Sequence, residues 1–107
     1  MENISGENSR RQILEQMLAE NPSNAFARYG LAMEFVKGQQ WEPAVREFET
    51  LLAGQPDYAA AYFHGGQTLE KMGRIEQARE WYRRGVESAR DPHARGELQA
   101  ALDILGG

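Results

Sequence analysis

The chain has 107 residues, 41% of them hydrophobic, enough for one small domain if the apolar positions are well placed. It contains no cysteine, which excludes a disulfide framework, a thiolate metal site and a cysteine nucleophile. Its formal charge of −4 argues against a nucleic-acid surface, which carries a basic excess.

Met1 to Asn8 reads as a flexible leader of Gly, Ser, Asn and Glu with little to bury. It has neither the basic start nor the apolar run of a secretory signal. No stretch approaches the roughly 20 apolar residues of a membrane span, so the expectation is a soluble, cytoplasmic protein. A helix follows over 9–20, with Ile13, Leu14, Met17 and Leu18 on one stripe. Asn21-Pro22 ends it, because the residue before proline avoids helical geometry. Ser23 is predicted to cap a helix over 24–37 that carries Phe26, Tyr29, Leu31, Ala32, Met33, Phe35 and Val36. A helix so apolar all round should be contacted on more than one side. After the turn Gly38-Gln39-Gln40, a helix from Trp41 to Ala53 shows a one-sided stripe, and Glu42 and Pro43 suit its first turn.

Gln55-Pro56-Asp57 is the next break, with Asp57 as the predicted cap of a helix from Tyr58 to Met72. Gly65-Gly66 lies in its interior, where each glycine costs about 1 kcal/mol relative to alanine, and close helix packing is the expected compensation. Gly73-Arg74 turns the chain into a helix from Ile75 to Ala89. Asp91-Pro92 restarts it, a capping acid with proline at the first helical position, and the last helix runs to Leu105. The expectation is all-α: six helices joined by short turns, hence antiparallel neighbours.

Landmarks repeat at a fixed period. Ser23, Asp57 and Asp91 lie 34 residues apart, as do Pro22 and Pro56, Ala25 and Ala59, Ala32 and Gly66, Ala44 and Ala78, and Phe48 and Tyr82. Such a period marks a solenoid of stacked helix pairs, because one pair cannot cover its own apolar face. The class of function this implies is binding.

The pattern resembles the tetratricopeptide repeat, a 34-residue helix–turn–helix unit. Ala25-Phe26-Ala27-Arg28-Tyr29-Gly30-Leu31-Ala32 is similar to its first-helix motif, with Leu31 large and Ala32 small. Trp41-Glu42-Pro43-Ala44, Phe48, Leu51 and Pro56 fit the second helix. Gly73-Arg74-Ile75-Glu76-Gln77-Ala78 and Tyr82 repeat that entry. Three departures are expected to loosen the second unit and its junction with the last helix: Gly65 for a large apolar residue, Gly85 for an alanine-like one, and no proline in register near Arg90. The resemblance implies a right-handed superhelical solenoid forming one domain over 9–107. It divides into an N-terminal helix 9–20, repeats 24–57 and 58–91, and a capping helix 92–105.

In this family the first helix of each unit lines a concave groove. The resemblance puts the groove at Phe26, Tyr29, Met33, Val36 and Lys37, then at Ala60, Phe63, Gln67, Glu70 and Lys71, with Glu97 and Ala101 extending it. The implied site is an apolar trough with Tyr29 and Phe63 as anchors and Lys37 and Lys71 at one edge, suited to a peptide or an amphipathic helix. The competing reading for Phe26, Met33 and Val36 is packing against the terminal helices; for Tyr29 and Phe63 both readings stand level. Some members hold the acidic carboxyl end of chaperone tails with groove lysine, arginine and asparagine. Tyr29, Met33, Phe63 and Gln67 occupy the matching places here, so that ligand is not expected.

Little else carries chemistry. Arg74, Arg79, Arg83, Arg84 and Arg90 alternate with Glu76, Glu80 and Glu87, as a solvated, ion-paired face does. His64 and His93 are the only histidines, in no metal-binding spacing, and Gly65-Gly66 lacks the strand and lysine of a phosphate loop. No catalytic, metal or cofactor motif appears, so the expectation is a non-enzymatic scaffold or adaptor. It would bind another protein or peptide at micromolar order, about −8 kcal/mol, with no nucleic-acid or membrane partner. The alternative is a structural protein, weakly homo-oligomeric through open repeat ends or an exposed Trp81.

Overall fold

The computed structural model describes residues 6–106. Six helices follow one another: α1 (Gly6–Glu20), α2 (Ala25–Lys37), α3 (Trp41–Gly54), α4 (Ala59–Lys71), α5 (Ile75–Ser88) and α6 (Pro92–Ile104). No strand occurs among the described residues. Each helix packs chiefly on its neighbours in sequence, and α4 also meets α6, giving an elongated body of 52 × 27 × 20 Å. Of the expected leader, residues 1–5 lie outside the described residues; α1 starts at Gly6, earlier than the expected Ser9.

The sequence period reappears in the backbone. The Asn24 amide donates to the Asn21 carbonyl at 3.1 Å and the Tyr58 amide to Gln55 at 3.2 Å, 34 residues on. The turn inside each unit does the same: the Gln40 amide reaches the Phe35 carbonyl at 2.8 Å, and Arg74 reaches Leu69 at 2.9 Å. Both turns pass through the left-handed region, at Gln39 (φ 60) and Gly73 (φ 78). Glycine adopts that conformation without penalty and glutamine does not.

Side chains vary on this frame by paired replacement. In the first unit Arg28 forms an ion pair with Glu47 at 2.8 Å. The residues 34 positions on are Tyr62 and Trp81, which meet edge to face at 6.5 Å. Both Arg28 and Tyr62 also donate to the proline carbonyl that precedes their helix, Pro22 at 2.9 Å and Pro56 at 2.7 Å. One unit closes with a charge pair, the other with two rings, around the same hydrogen bond.

The core is a single run of buried residues from Leu14 and Leu18 to Leu98 and Leu102, with Ala27, Ala44, Phe48, Ala61, Ala78 and Tyr82 fully covered at its centre. Several expectations need correction. Ile13 is 59% exposed, off the buried stripe of α1. Asn24, not Ser23, caps α2, its side chain accepting from the Ala27 amide at 3.0 Å. Asp57 caps nothing; it pairs with Arg90 at 2.8 Å, and α4 begins after Tyr58 without a side-chain cap. Asp91 does cap α6, accepting from the Ala94 amide at 3.2 Å.

The glycines of the second unit tighten it. A Cβ on Gly65 would lie 2.6 Å from Trp81 Cε3, and one on Gly66 2.7 Å from Tyr82 Cζ, so both rings occupy space a side chain would need. Gly85 similarly admits Leu98, whose Cδ1 would stand 2.9 Å from an added Cβ. The Asp57–Arg90 pair and an Arg95 bond to the Ala89 carbonyl at 2.7 Å close the junction with α6. Trp81 is 4% exposed, which removes it as a contact between copies.

Candidate functional site

The first helices of successive units meet along one side of the solenoid. Phe48, Tyr29, His64, Phe63 and Tyr82 form a continuous run of rings, with successive centroids 6.2, 6.1, 5.3 and 6.4 Å apart. Tyr58 stacks beside Tyr29 at 5.5 Å. The run crosses from α2 to α4, and beyond it α4 and α6 enclose two depressions. One, of about 390 Å³, has Phe63, Ala101 and Ile104 as its apolar lining over the buried Tyr82 ring, and Glu70 and Glu97 beside them. The other, of about 260 Å³, lies between Ala60, His64, Ala94 and Leu98. Phe63 and Glu97 border both.

Burial tunes the polar groups of this face. It raises the Tyr29 phenol above its ordinary value, with Tyr58 adding to the effect. It holds His64 below the ordinary histidine value, against a hydrogen bond with Gln67 and the charge of Glu97 that pull the other way. His64 packs as a ring between Tyr29 and Phe63. Burial raises the Tyr82 phenol far above its usual range, reinforced by its hydrogen bond to the Glu70 carboxylate.

The residues expected to form the groove are not all alike. Phe63 and Gln67 line the larger depression. Tyr29 is half-buried among Phe48, Tyr58 and His64, closer to a packed ring than to an open anchor. Met33 and Val36 pack partly against the core. Phe26 is 72% exposed, so it does not pack against the terminal helices. Lys37 is exposed. Lys71 lies beside Gln67 and Glu70, with its Nζ 5.9 Å from the Trp41 ring centroid, tying α4 to the start of α3. Ile104, 82% exposed, and Tyr82 were not anticipated at this face. The signal for Ile104 is its i, i+3 spacing from Ala101, which sets both on one side of α6.

The arginines in and just before α5 are engaged. Arg79 pairs with Glu76 and donates to the Leu105 carbonyl, Arg83 pairs with Glu80 at 2.6 Å, Arg74 with Glu42 at 2.5 Å, and the Arg84 guanidinium lies 5.4 Å over the Tyr62 ring. Among the described residues no group of three or more His, Asp and Glu side chains could hold a metal ion, and no helix is long and apolar enough to cross a membrane.

A tetratricopeptide repeat family model matches residues 35–102. The chain belongs to the tetratricopeptide repeat family. A tetratricopeptide repeat domain protein from Salinibacter ruber is similar at 34% identity in its solution structure, over 79% of this chain and 89% of that one, with a TM-score of 0.75. A crystal structure from the same organism gives 34% identity over 78% of this chain and 97% of that one, TM-score 0.73. A protein from Bordetella parapertussis shares 28% identity over 99% of this chain and 90% of that one, TM-score 0.75. The search of curated proteins found no match. Tetratricopeptide repeats generally mediate protein–protein interaction, and proteins of this fold are typically non-enzymatic scaffolds.

Proposed function

We propose that this tetratricopeptide repeat domain is a protein-interaction module that receives a peptide or helical segment of another protein on the α2–α4–α6 face, with Phe63 at the centre. The supporting observation is the pair of depressions between α4 and α6, both bordered by Phe63 and Glu97. An aromatic residue between two hollows offers each incoming apolar side chain a wall to pack on, the arrangement that makes binding hot spots. Of the expected site residues, Phe63 and Gln67 contribute directly. Tyr29 and Met33 support the floor, Lys37 and Lys71 lie toward the edge, and Phe26 extends the apolar surface.

A display library of random peptides, panned on the domain, tests this reading. Recovered peptides should bind at micromolar order, about −8 kcal/mol, and lose affinity about tenfold against Phe63→Ala. Helicity measured alongside separates lost contact from lost fold. Equal affinity for a folded Phe63→Ala variant contradicts it.

A further inference from the structure

The charge around the larger depression is unbalanced. Several acidic side chains elsewhere have cationic partners, Glu34 with Arg10, Glu47 with Arg28, Glu42 with Arg74, Glu80 with Arg83 and Asp57 with Arg90, while Glu20, Glu49 and Glu87 form no ion pair among the described residues. At the depression, Glu70 accepts from the Tyr82 hydroxyl and Glu97 approaches His93 at 3.4 Å, a pairing that is charged only when that exposed histidine is protonated. Among the described residues neither Glu70 nor Glu97 forms an ion pair with a lysine or arginine. Between them lies apolar surface: Phe63, Ala101 and the 82% exposed Ile104. The neighbouring depression adds Glu97 again and no cation, and Lys71 lies beside Glu70 outside the hollow.

We infer that the α4–α6 hollow takes a basic, amphipathic segment of a partner protein, an aliphatic or aromatic side chain seated against Phe63 and Ile104 with lysine or arginine beside it meeting Glu70 and Glu97. This deepens the proposed function and rests on its reading of the same face. Apolar burial supplies the affinity, and the two carboxylates select the sign of the flanking charge, since a like charge brought to this rim is repelled. The carboxylates are partly solvated, so each contributes modestly and the contribution is screened by salt.

Three labelled peptides of equal length test the inference by fluorescence anisotropy: a leucine–lysine amphipathic peptide, its leucine–glutamate counterpart and a serine–lysine counterpart. The leucine–lysine peptide should bind best. Its affinity should fall when added salt shortens the Debye length from about 10 Å to about 3 Å. Glu70→Gln/Glu97→Gln should weaken it about tenfold and flatten that salt response. Glu49→Gln/Glu87→Gln makes the same change in net charge away from this hollow and should leave affinity unaltered. An equal loss in both double variants, or tighter binding of either counterpart, overturns the inference. A concentration-dependent dimer that is lost in Glu70→Gln/Glu97→Gln assigns the hollow to a second copy and overturns it too. If the leucine–glutamate peptide wins and Phe63→Ala abolishes its binding, the charge assignment falls while the groove stands.

Discussion

The Trp81 ring fills the space that a side chain on Gly65 would take: a Cβ there would stand 2.6 Å from Cε3. One period earlier the same two positions hold Leu31 and Glu47, so bulk has moved from the first helix of the unit to the second. In the second unit one position shrank where its neighbour grew.

This fit reverses the usual benefit of replacing a helical glycine. Gly65→Ala should destabilise the domain by about 2 kcal/mol, since overpacking against a buried indole outweighs the gain in helix propensity. Gly96 in α6 has open space around its Cα, so Gly96→Ala should stabilise by about 1 kcal/mol. Urea unfolding of the two variants checks the opposite signs.

The cap of α2 gives a second pair. Asn24→Ala removes the acceptor of the Ala27 amide and should cost about 1 kcal/mol, a fall in Tm of about 5 °C. The Ser23 hydroxyl donates only to the Asn21 side chain at 3.0 Å, so Ser23→Ala should stay within about 0.5 kcal/mol of wild type. Thermal melts that rank the two the other way would restore Ser23 as the cap.

His64 should make stability fall on the acid side. Its folded pKa lies below the ordinary 6.5, so under acid conditions the unfolded chain binds the proton more readily. The contribution is complete above 6.5 and is lost as pH drops from there toward the folded value. Gln67, Glu97 and Tyr29 face the ring. Tm should therefore decline between about pH 7 and about pH 5.5 more steeply in wild type than in His64→Gln. Parallel profiles would contradict this.

Trp81 belongs to the core, so its loss should act on folding and not on association. Trp81→Ala should cost about 3–5 kcal/mol by leaving a cavity against Gly65 and Tyr62. Trp81→Phe, which keeps most of the packing, should sediment at several concentrations as wild type does. A change in its association state at full folding would return Trp81 to an interface.

The helix pairs were legible in the sequence because their marks repeat locally: small residues at Ala44 and Ala78, aromatic ones at Phe48 and Tyr82, and turns at Gln39 and Gly73. What escaped depends on partners distant along the chain. Asp57 has the chemistry of a cap and is drawn to Arg90 instead. Gly65 reads as a defect until Trp81 is seen against it. Ser23 and Asn24 are both good caps, and only the hydrogen bond to Ala27 decides between them. At the candidate site, Phe63 and Gln67 could be read from the repeat register. The hollow they line could not, because half of it comes from Ala101 and Ile104 on α6, outside the two repeats.

The α2–α4–α6 face as binding surface is tested most directly by backbone amide NMR of the domain, titrated with a peptide recovered by panning. Shift changes should concentrate at Phe63, Gln67, Glu97 and Ala101, and leave Glu49, Arg84 and the rest of the α3–α5 side unmoved. Changes centred on α3 and α5, or confined to the exposed ends of α1 and α6, would contradict the account.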